Sequence, residues 1–518
     1  MTDEKSSPSP LDPLKRYVPL AVWAIVILVI LFIPLKIIEY GYLPGDDALR
    51  HAAKAVSGKP WSEILVLNDV YKIDHEFGWN LLLEKIHLWT NWNAESLVIF
   101  SVVTLFICAG WSALPWLKWP EAWLVTLLLA MLVSDVPQRF LIGRPFVLTA
   151  AALMAILFLW QRHGAAPPKG WMLLLAAALF ALCTFVHGVW YLWVLLLAAF
   201  FFAGEFRWCF SLGFCWAVGV FTGSALTGHP FEYPLQALKL ALLAVGAHAT
   251  TRTMAAELQP FGGDILALAI LGGLLVLRQL AKLNAVPFAK TPAFWLVCFS
   301  WVLGFKVGRF WDDWGWPSLM VLITCDVQLL LQSRFAADSF KRLGLALGLA
   351  VATFLAVTSD AGSRWTYTLT QQYLTTDNPD LNGWMPEKGG IFYSADMTLF
   401  YQTFFKNPHG DWRYMLGFEP TWMPKEDFDV YHKVLWNFGD SKAYEPWVKK
   451  MKPADRLVIR GSRGGPPGIP QLEWNYGVSG IWVGRLPRTN APPPAPTVPA
   501  TATLESLTNS APAENSTR

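Results

Sequence analysis

Long apolar runs separated by short polar connections dominate the first 360 residues. The first run, Tyr17 to Ile38, is about 22 residues, which as a helix rises roughly 33 Å and crosses a bilayer core. Runs of near-spanning length recur at 94–111, 121–136, 144–160, 171–186, 190–203, 210–226, 264–277, 292–306, 317–331 and 343–358. Together they predict about eleven transmembrane helices. Lys15 and Arg16 precede the first run, and the loop Lys/Arg collect in 161–170, 204–207, 278–290 and 333–342. The positive-inside tendency then keeps 1–16 in the cytoplasm, and an odd number of crossings puts the C-terminal third outside. The stretch 233–248 is apolar, yet a crossing there would turn the later basic loops outward. It reads as an amphipathic or re-entrant helix in an external loop.

Two polar regions interrupt the pattern. The first external loop, 39–93, is too long for a simple connection. It predicts one short helix from Pro44-Gly45-Asp46 to Gly58 and another from about Gly78 to Trp89, both lying along the membrane. Beyond the membrane part, 17–358, the composition turns globular over 359–486. Strands are expected at 391–393, 457–459 and 481–483, and helices around 397–405, 428–436 and 444–451, which make a small extracytoplasmic α/β domain. From 487 to 518 the chain is rich in Pro, Ala, Thr and Ser and predicts a disordered tail. The expected fold class is thus mainly α: a polytopic membrane protein with a small C-terminal α/β domain.

Composition agrees, since 54% of residues are hydrophobic and 15% charged. The net charge of +3 has no basic block behind it, so nucleic acid is excluded as an expected partner. The six cysteines all lie within or beside apolar runs, and the polar C-terminal region has none to form disulfides. Walker loops, paired CxxC motifs, His-Glu-x-x-His and a Gly-x-Ser-x-Gly elbow are absent from the sequence.

The chemistry-bearing residues cluster just after the first run. Asp46 and Asp47 open the first short helix, and Asn68-Asp69 and Asp74-His75-Glu76 follow in the same loop. A structural alternative makes Asp46 a helix cap and Asp47 an exposed partner of Arg50 or His51, contributing about 1 kcal/mol or less. Arg139, Arg144, His187, His229, Lys306 and Arg309 fall in outer loops, where cations can meet a phosphate or simply anchor helix ends. Asp326 lies deep in a predicted span, where a carboxylate costs several kcal/mol unless paired or hydrated. Most of the 28 tryptophans suit interfacial belts and packing.

An acidic pair opening an external helix after the first span, then Gly58 and Asp74-His75-Glu76, resembles the GT-C superfamily of polyprenyl-phosphate-sugar glycosyltransferases. Gly143-Arg144-Pro145-Phe146, leading into a Leu/Ala-rich span, is similar to the Arg-Pro-aromatic helix start of many such enzymes. The pattern covers about residues 15–360, and the later domain is similar in placement. Mannosyl- and arabinosyltransferase-like branches carry His-Pro-Pro where this chain has His75-Glu76-Phe77, so their acceptor is not carried over.

The resemblance implies an inverting transfer from a polyprenyl-phosphate donor to an acceptor hydroxyl of a glycan, lipid or protein, at the outer face of a bacterial cytoplasmic membrane. Such a transfer needs a base for the acceptor and cations for the departing phosphate. Asp46 or Asp47 is the expected base. His51, Asp74, His75, Arg139, Arg144, His229, Lys306 and Arg309 are the expected substrate-binding set. A divalent cation such as Mg or Mn would find oxygen ligands in Asp46 and Asp47, with Asp74 or His75 as further donors. The competing readings are a polytopic transporter or flippase, and a non-catalytic subunit of an envelope polysaccharide assembly machine.

Overall fold

The structure, a computed structural model, describes residues 12–71, 73–132, 135–246, 259–461, 465–478 and 480–488. The 487–518 tail therefore lies almost wholly outside the described residues, as does the end of the 233–248 stretch. Seven helices are long and apolar enough to cross a membrane: Val18–Glu39, Ala94–Trp116, Phe146–His163, Gly170–His187, Phe206–Leu226, Trp311–Arg334 and Phe340–Thr358. The other four apolar runs form the shorter helices Glu121–Ala130, Trp190–Phe202, Ile265–Leu280 and Pro292–Gly304. By length alone they fall short of the ~20 residues that an untilted crossing requires.

Local chemistry sets several helix ends. The side chains of Asn93, Asp264 and Ser339 accept backbone N–H groups of the helices that follow them. Pro292 occupies a first-turn position, where its missing N–H costs nothing. Within the bundle, Gly170–His187 and Phe206–Leu226 run in close contact. A Cβ at Gly219 or Gly223 would come within 2.5 Å of Phe180 Cβ or 2.4 Å of the Ala181 carbonyl, so small residues four apart permit this approach.

Two ion pairs tie helices together. Arg342 grips Glu121 through Nε at 2.5 Å and Nη2 at 3.0 Å, and lies 3.8 Å from the Trp119 ring centroid. Asp326, costly in isolation, receives Arg278 Nε at 2.7 Å and Nη2 at 2.9 Å. It is a helix–helix tie, and Arg278 pairs with it rather than standing as a free loop cation.

The C-terminal region contains a five-stranded sheet in the order β2-β1-β3-β5-β4, with β1 Ile391–Ser394, β2 Arg413–Tyr414, β3 Arg456–Arg460, β4 Glu473–Tyr476 and β5 Ile481–Arg485. β1 runs parallel to β2 and β3, while β5 is antiparallel to β3 and β4. The apolar runs at β1, β3 and β5 announce themselves in the sequence. β2 is two residues long and β4 reads Glu-Trp-Asn-Tyr, so neither carries an apolar run.

The first loop folds into the helices Asp47–Ser57 and Phe77–Thr90, close to the expected positions. Neither lies free along a surface. Asp47–Ser57 buries seven of its eleven residues, packing against Phe77–Thr90, Ala94–Trp111 and the helix Met397–Lys406 of the C-terminal region. The loop also joins the sheet. Leu65 pairs in parallel with Tyr414 of β2, Val66 N–H donates to the Tyr414 carbonyl at 2.9 Å, and Asn68 N–H donates to the Trp422 carbonyl at 2.7 Å. Helix Glu232–Gly246 braces the same loop, because Tyr233 Oη donates to the His75 carbonyl at 2.7 Å and lies 3.0 Å from the Thr184 carbonyl. Gly188 sits in this joint at φ +70°, and a Cβ there would lie 2.5 Å from the His75 carbonyl oxygen.

Candidate functional site

Asp46 precedes the Asp47–Ser57 helix in the N-cap position, yet its side chain makes no capping hydrogen bond. Instead Asp46 Oδ2 lies 3.4 Å from Arg144 Nη2, and Asp47 Oδ2 lies 3.2 Å from Arg144 Nε. One guanidinium thus holds both carboxylates at the positive end of a helix. Arg144 is delivered by Gly143, whose φ of +69° turns the chain into helix Phe146–His163. A Cβ on Gly143 would come within 3.2 Å of Ala48 Cβ, so the turn needs this residue to approach the carboxylate helix.

From Asp47 the charges alternate inward. Asp47 Oδ1 accepts Arg50 Nε at 2.7 Å, and Arg50 Nη2 donates to Glu76. Glu76 Oε2 also lies 3.3 Å from His51 Nε2 and 3.6 Å from His75 Nε2. Arg50 is only 1% exposed, so the pairing with Asp47 is buried, not the surface contact that helical spacing suggests. Burial by itself would raise both carboxyls. The guanidinium groups of Arg144 and Arg50 outweigh it at Asp47, holding that group below its ordinary value. Arg50, assisted by His51 and His75, holds Glu76 well below the usual carboxylate range. Burial lowers His75, with Glu76 opposing.

Asp74 has a supporting role. Its carboxylate accepts Trp61 Nε1 at 2.9 Å and Asn80 Nδ2 at 2.6 Å, while Asn80 Oδ1 accepts His51 Nδ1 at 2.6 Å. The C-terminal region closes the far side. The Phe418 ring centroid is 3.6 Å from Arg50 Cζ, His75 stacks on Phe418 at 5.7 Å, and Trp422 meets His75 edge-on at 5.0 Å. Buried Tyr401 lies within electrostatic reach of Asp47, Arg144, Arg50 and Asp46.

A second group forms around a π-helical turn, Trp311–Gly315, that carries Asp313 into the interior. Asp313 Oδ1 accepts Arg139 Nε at 2.8 Å and Nη2 at 2.5 Å, and Oδ2 accepts Arg309 Nε at 2.8 Å. Arg309 Nη2 is 3.3 Å from His187 Nε2, whose ring meets Thr149 Oγ1 at 3.0 Å. His75 and Glu76 are within electrostatic reach of His187, so the two groups adjoin. Arg139 also lines a cavity of about 580 Å3, whose walls include Leu132, Phe140, Phe261, Ile265 and Trp311.

The structure therefore brings Asp46, Asp47, His51, Asp74, His75 and Arg144 into one cluster and Arg139 and Arg309 into its neighbour. His229 lies 3.1 Å from Glu232 and lines a second cavity together with Asp74 and Asn80. Lys306 is exposed past helix Pro292–Gly304, and its side chain has no ion pair or hydrogen bond among the described residues. Arg50, Glu76, Asn80, Asp313, Tyr401 and Phe418 were not singled out as site residues by the sequence. The Arg50 and Glu76 signals were present as Asp47-x-x-Arg50 and Asp74-His75-Glu76. Nothing local marks Tyr401 or Phe418, which arrive from 350 or more residues downstream.

Both carboxylates of the pair place one oxygen against Arg144. No group of three or more His, Cys, Asp or Glu is arranged to hold a metal among the described residues. No protein-family model matches the chain, and no curated protein matches it either.

Proposed function

We propose that the protein is an inverting glycosyltransferase that moves a sugar from a polyprenyl-phosphate donor to an acceptor hydroxyl at the outer face of a bacterial cytoplasmic membrane. In this reading the four shorter apolar helices cross with the seven longer ones, giving eleven crossings and an extracytoplasmic C-terminal domain. The observation that carries it is the carboxylate pair on Arg144. An acid in the N-cap position makes no capping bond and turns to Arg144 instead, and the neighbouring ion-pair group supplies Arg139, which lines a cavity with apolar walls and the carboxylates Asp264 and Asp312.

The division of labour follows from the partners. Asp47 is held by two guanidinium groups and below its ordinary pKa, which makes it a weak base and a good positioning group for Arg144. Asp46 lies against Arg144 and has the more exposed side chain, 30% against 16%, so Asp46 is the proposed base. It takes the acceptor hydroxyl proton as the acceptor oxygen bonds to the anomeric carbon. The bond from that carbon to the phosphate oxygen breaks, and its electron pair leaves with the polyprenyl phosphate. Arg139, with Arg309 beside it, meets the growing phosphate charge.

The test is turnover of radiolabelled polyprenyl-phosphate sugars by the purified protein, with Asp46→Asn and Asp47→Asn in parallel. Release of polyprenyl phosphate that collapses in Asp46→Asn and falls less in Asp47→Asn is the expected result. Intact donors throughout, with a broad acceptor pool present, would reject the transferase reading.

A further inference from the structure

A second cavity, of about 390 Å3, is lined by residues of the first loop together with His229. We propose that it binds a neutral saccharide, the part of the acceptor remote from the reacting hydroxyl. Its volume lies within the roughly 300–1,000 Å3 of small-ligand pockets. Three of its walls are the aromatic rings of Trp61, Tyr71 and Phe77, which suit the apolar C–H faces of a pyranose. Between them stand Asn80, Glu84 and Lys54, donors and acceptors of the kind that hydroxyl groups require. Tyr71 adds a buried hydroxyl with no hydrogen-bond partner among the described residues.

Charge narrows the ligand class. The two carboxylates Asp74 and Glu84 face the single ammonium of Lys54 in the lining, so an anion is not selected. An acyl chain would bury the Glu84 carboxylate against hydrocarbon. A polyhydroxylated neutral ring meets both demands.

The cavity is coupled to the carboxylate cluster. Asn80, one of its walls, bonds His51 on the other side, and Trp61 lies over both Lys54 (5.8 Å) and Arg50 (5.9 Å). Lys54 follows Asp47 by seven residues on the same helix face, about 10 Å along the axis at 1.5 Å per residue. A bound ring so far from Asp46 implies an acceptor longer than a monosaccharide. The acceptor role rests on the transferase reading, whereas saccharide binding at this cavity does not.

The experiment uses the full-length protein in nanodiscs and a panel of maltotriose, mannotriose and chitotriose, with binding read by saturation-transfer NMR. Donor hydrolysis to water is measured on the same samples. Ser62→Trp, which fills the mouth from an exposed position, and Glu84→Gln, which removes one acceptor charge, are compared with wild type. The expected result is binding of at least one trisaccharide, weakened about tenfold or more by each change, with melting temperature and donor hydrolysis unaltered. Binding and its loss in both variants without any donor turnover would uphold the saccharide site and remove the transferase reading. Donor turnover with no trisaccharide bound, or with binding indifferent to both substitutions, would overturn the site and leave the transferase reading standing.

Discussion

Replacing Glu76 by Leu strands the Arg50 charge in the interior, and the structure sets the cost. The Arg50 and Glu76 side chains are 2% and 6% exposed. Removing one partner of such a pair costs about 3–5 kcal/mol, because the remaining charge stays desolvated. Arg50 keeps Asp47 at 2.7 Å, which places Glu76→Leu near the lower end, about 3 kcal/mol. Arg50→Met costs a similar amount, since Glu76 retains only His51 and His75 nearby. The double variant replaces the pair with apolar groups of comparable length, and such replacements are often close to neutral. The double-mutant cycle should therefore show a coupling of about 2 kcal/mol or more. Equilibrium unfolding in mixed micelles, followed by tryptophan fluorescence, measures it. Additive effects of the two single changes, or a Glu76→Leu cost below about 1 kcal/mol, would refute a buried, mutually dependent pair.

Other consequences are sharper in pH and in kinetics. His75 is lowered by burial from its ordinary value of 6.5, so its contribution to stability is complete above about pH 6.5 and is lost as the pH falls through the folded value. Wild-type stability should decline between pH 7 and 5, and His75→Asn should flatten that slope in the same unfolding assay. Asp47 and Glu76, both lowered, keep their contributions throughout that interval and lose them only below the ordinary carboxylate range. Arg139→Ala should reduce kcat/KM for the lipid donor about 10- to 100-fold, the worth of one hydrogen-bonded charge on a phosphate. Lys306→Ala should leave both donor turnover and melting temperature unchanged, within about 0.5 kcal/mol for an exposed side chain.

The helices of the membrane part were legible because apolar runs of spanning length have no soluble explanation, and Gly58 and Gly78 bracketed the loop helices from local signals alone. What the sequence could not convey was depth. Asp47-x-x-Arg50 has the spacing of an exposed ion pair, and the packing of Phe77–Thr90, Ala94–Trp111 and Met397–Lys406 on that helix removes it from water. The same holds for Asp313, which reads as an anchor's partner beside Arg309. A π-helical turn, invisible to periodicity, makes it the joint between Arg139 and Arg309. β2 and β4 were missed because a two-residue strand and a polar one have no hydrophobic pattern. β2 in turn is extended by Leu65, a pairing more than 340 residues apart in sequence.

That pairing makes the C-terminal domain part of the site. Phe418 is 8% exposed and lies against Arg50, His75, Trp61 and Trp422, so it is the contact through which the domain reaches the charge cluster. Phe418→Ala should cost about 3–5 kcal/mol as a large-to-small change in a packed core, and that alone would not separate structure from positioning. Phe418→Leu does separate them. It keeps most of the apolar volume but removes the ring face under Arg50, a cation–π contact worth about 0.5–2 kcal/mol. If the ring fixes the guanidinium that steadies Asp47, and Asp47 in turn steadies Arg144, Phe418→Leu should lower kcat for donor turnover several-fold. The melting temperature should fall much less than in Phe418→Ala. Full turnover in Phe418→Leu would mean that the domain closes the site by packing alone, with no hold on the orientation of its charges.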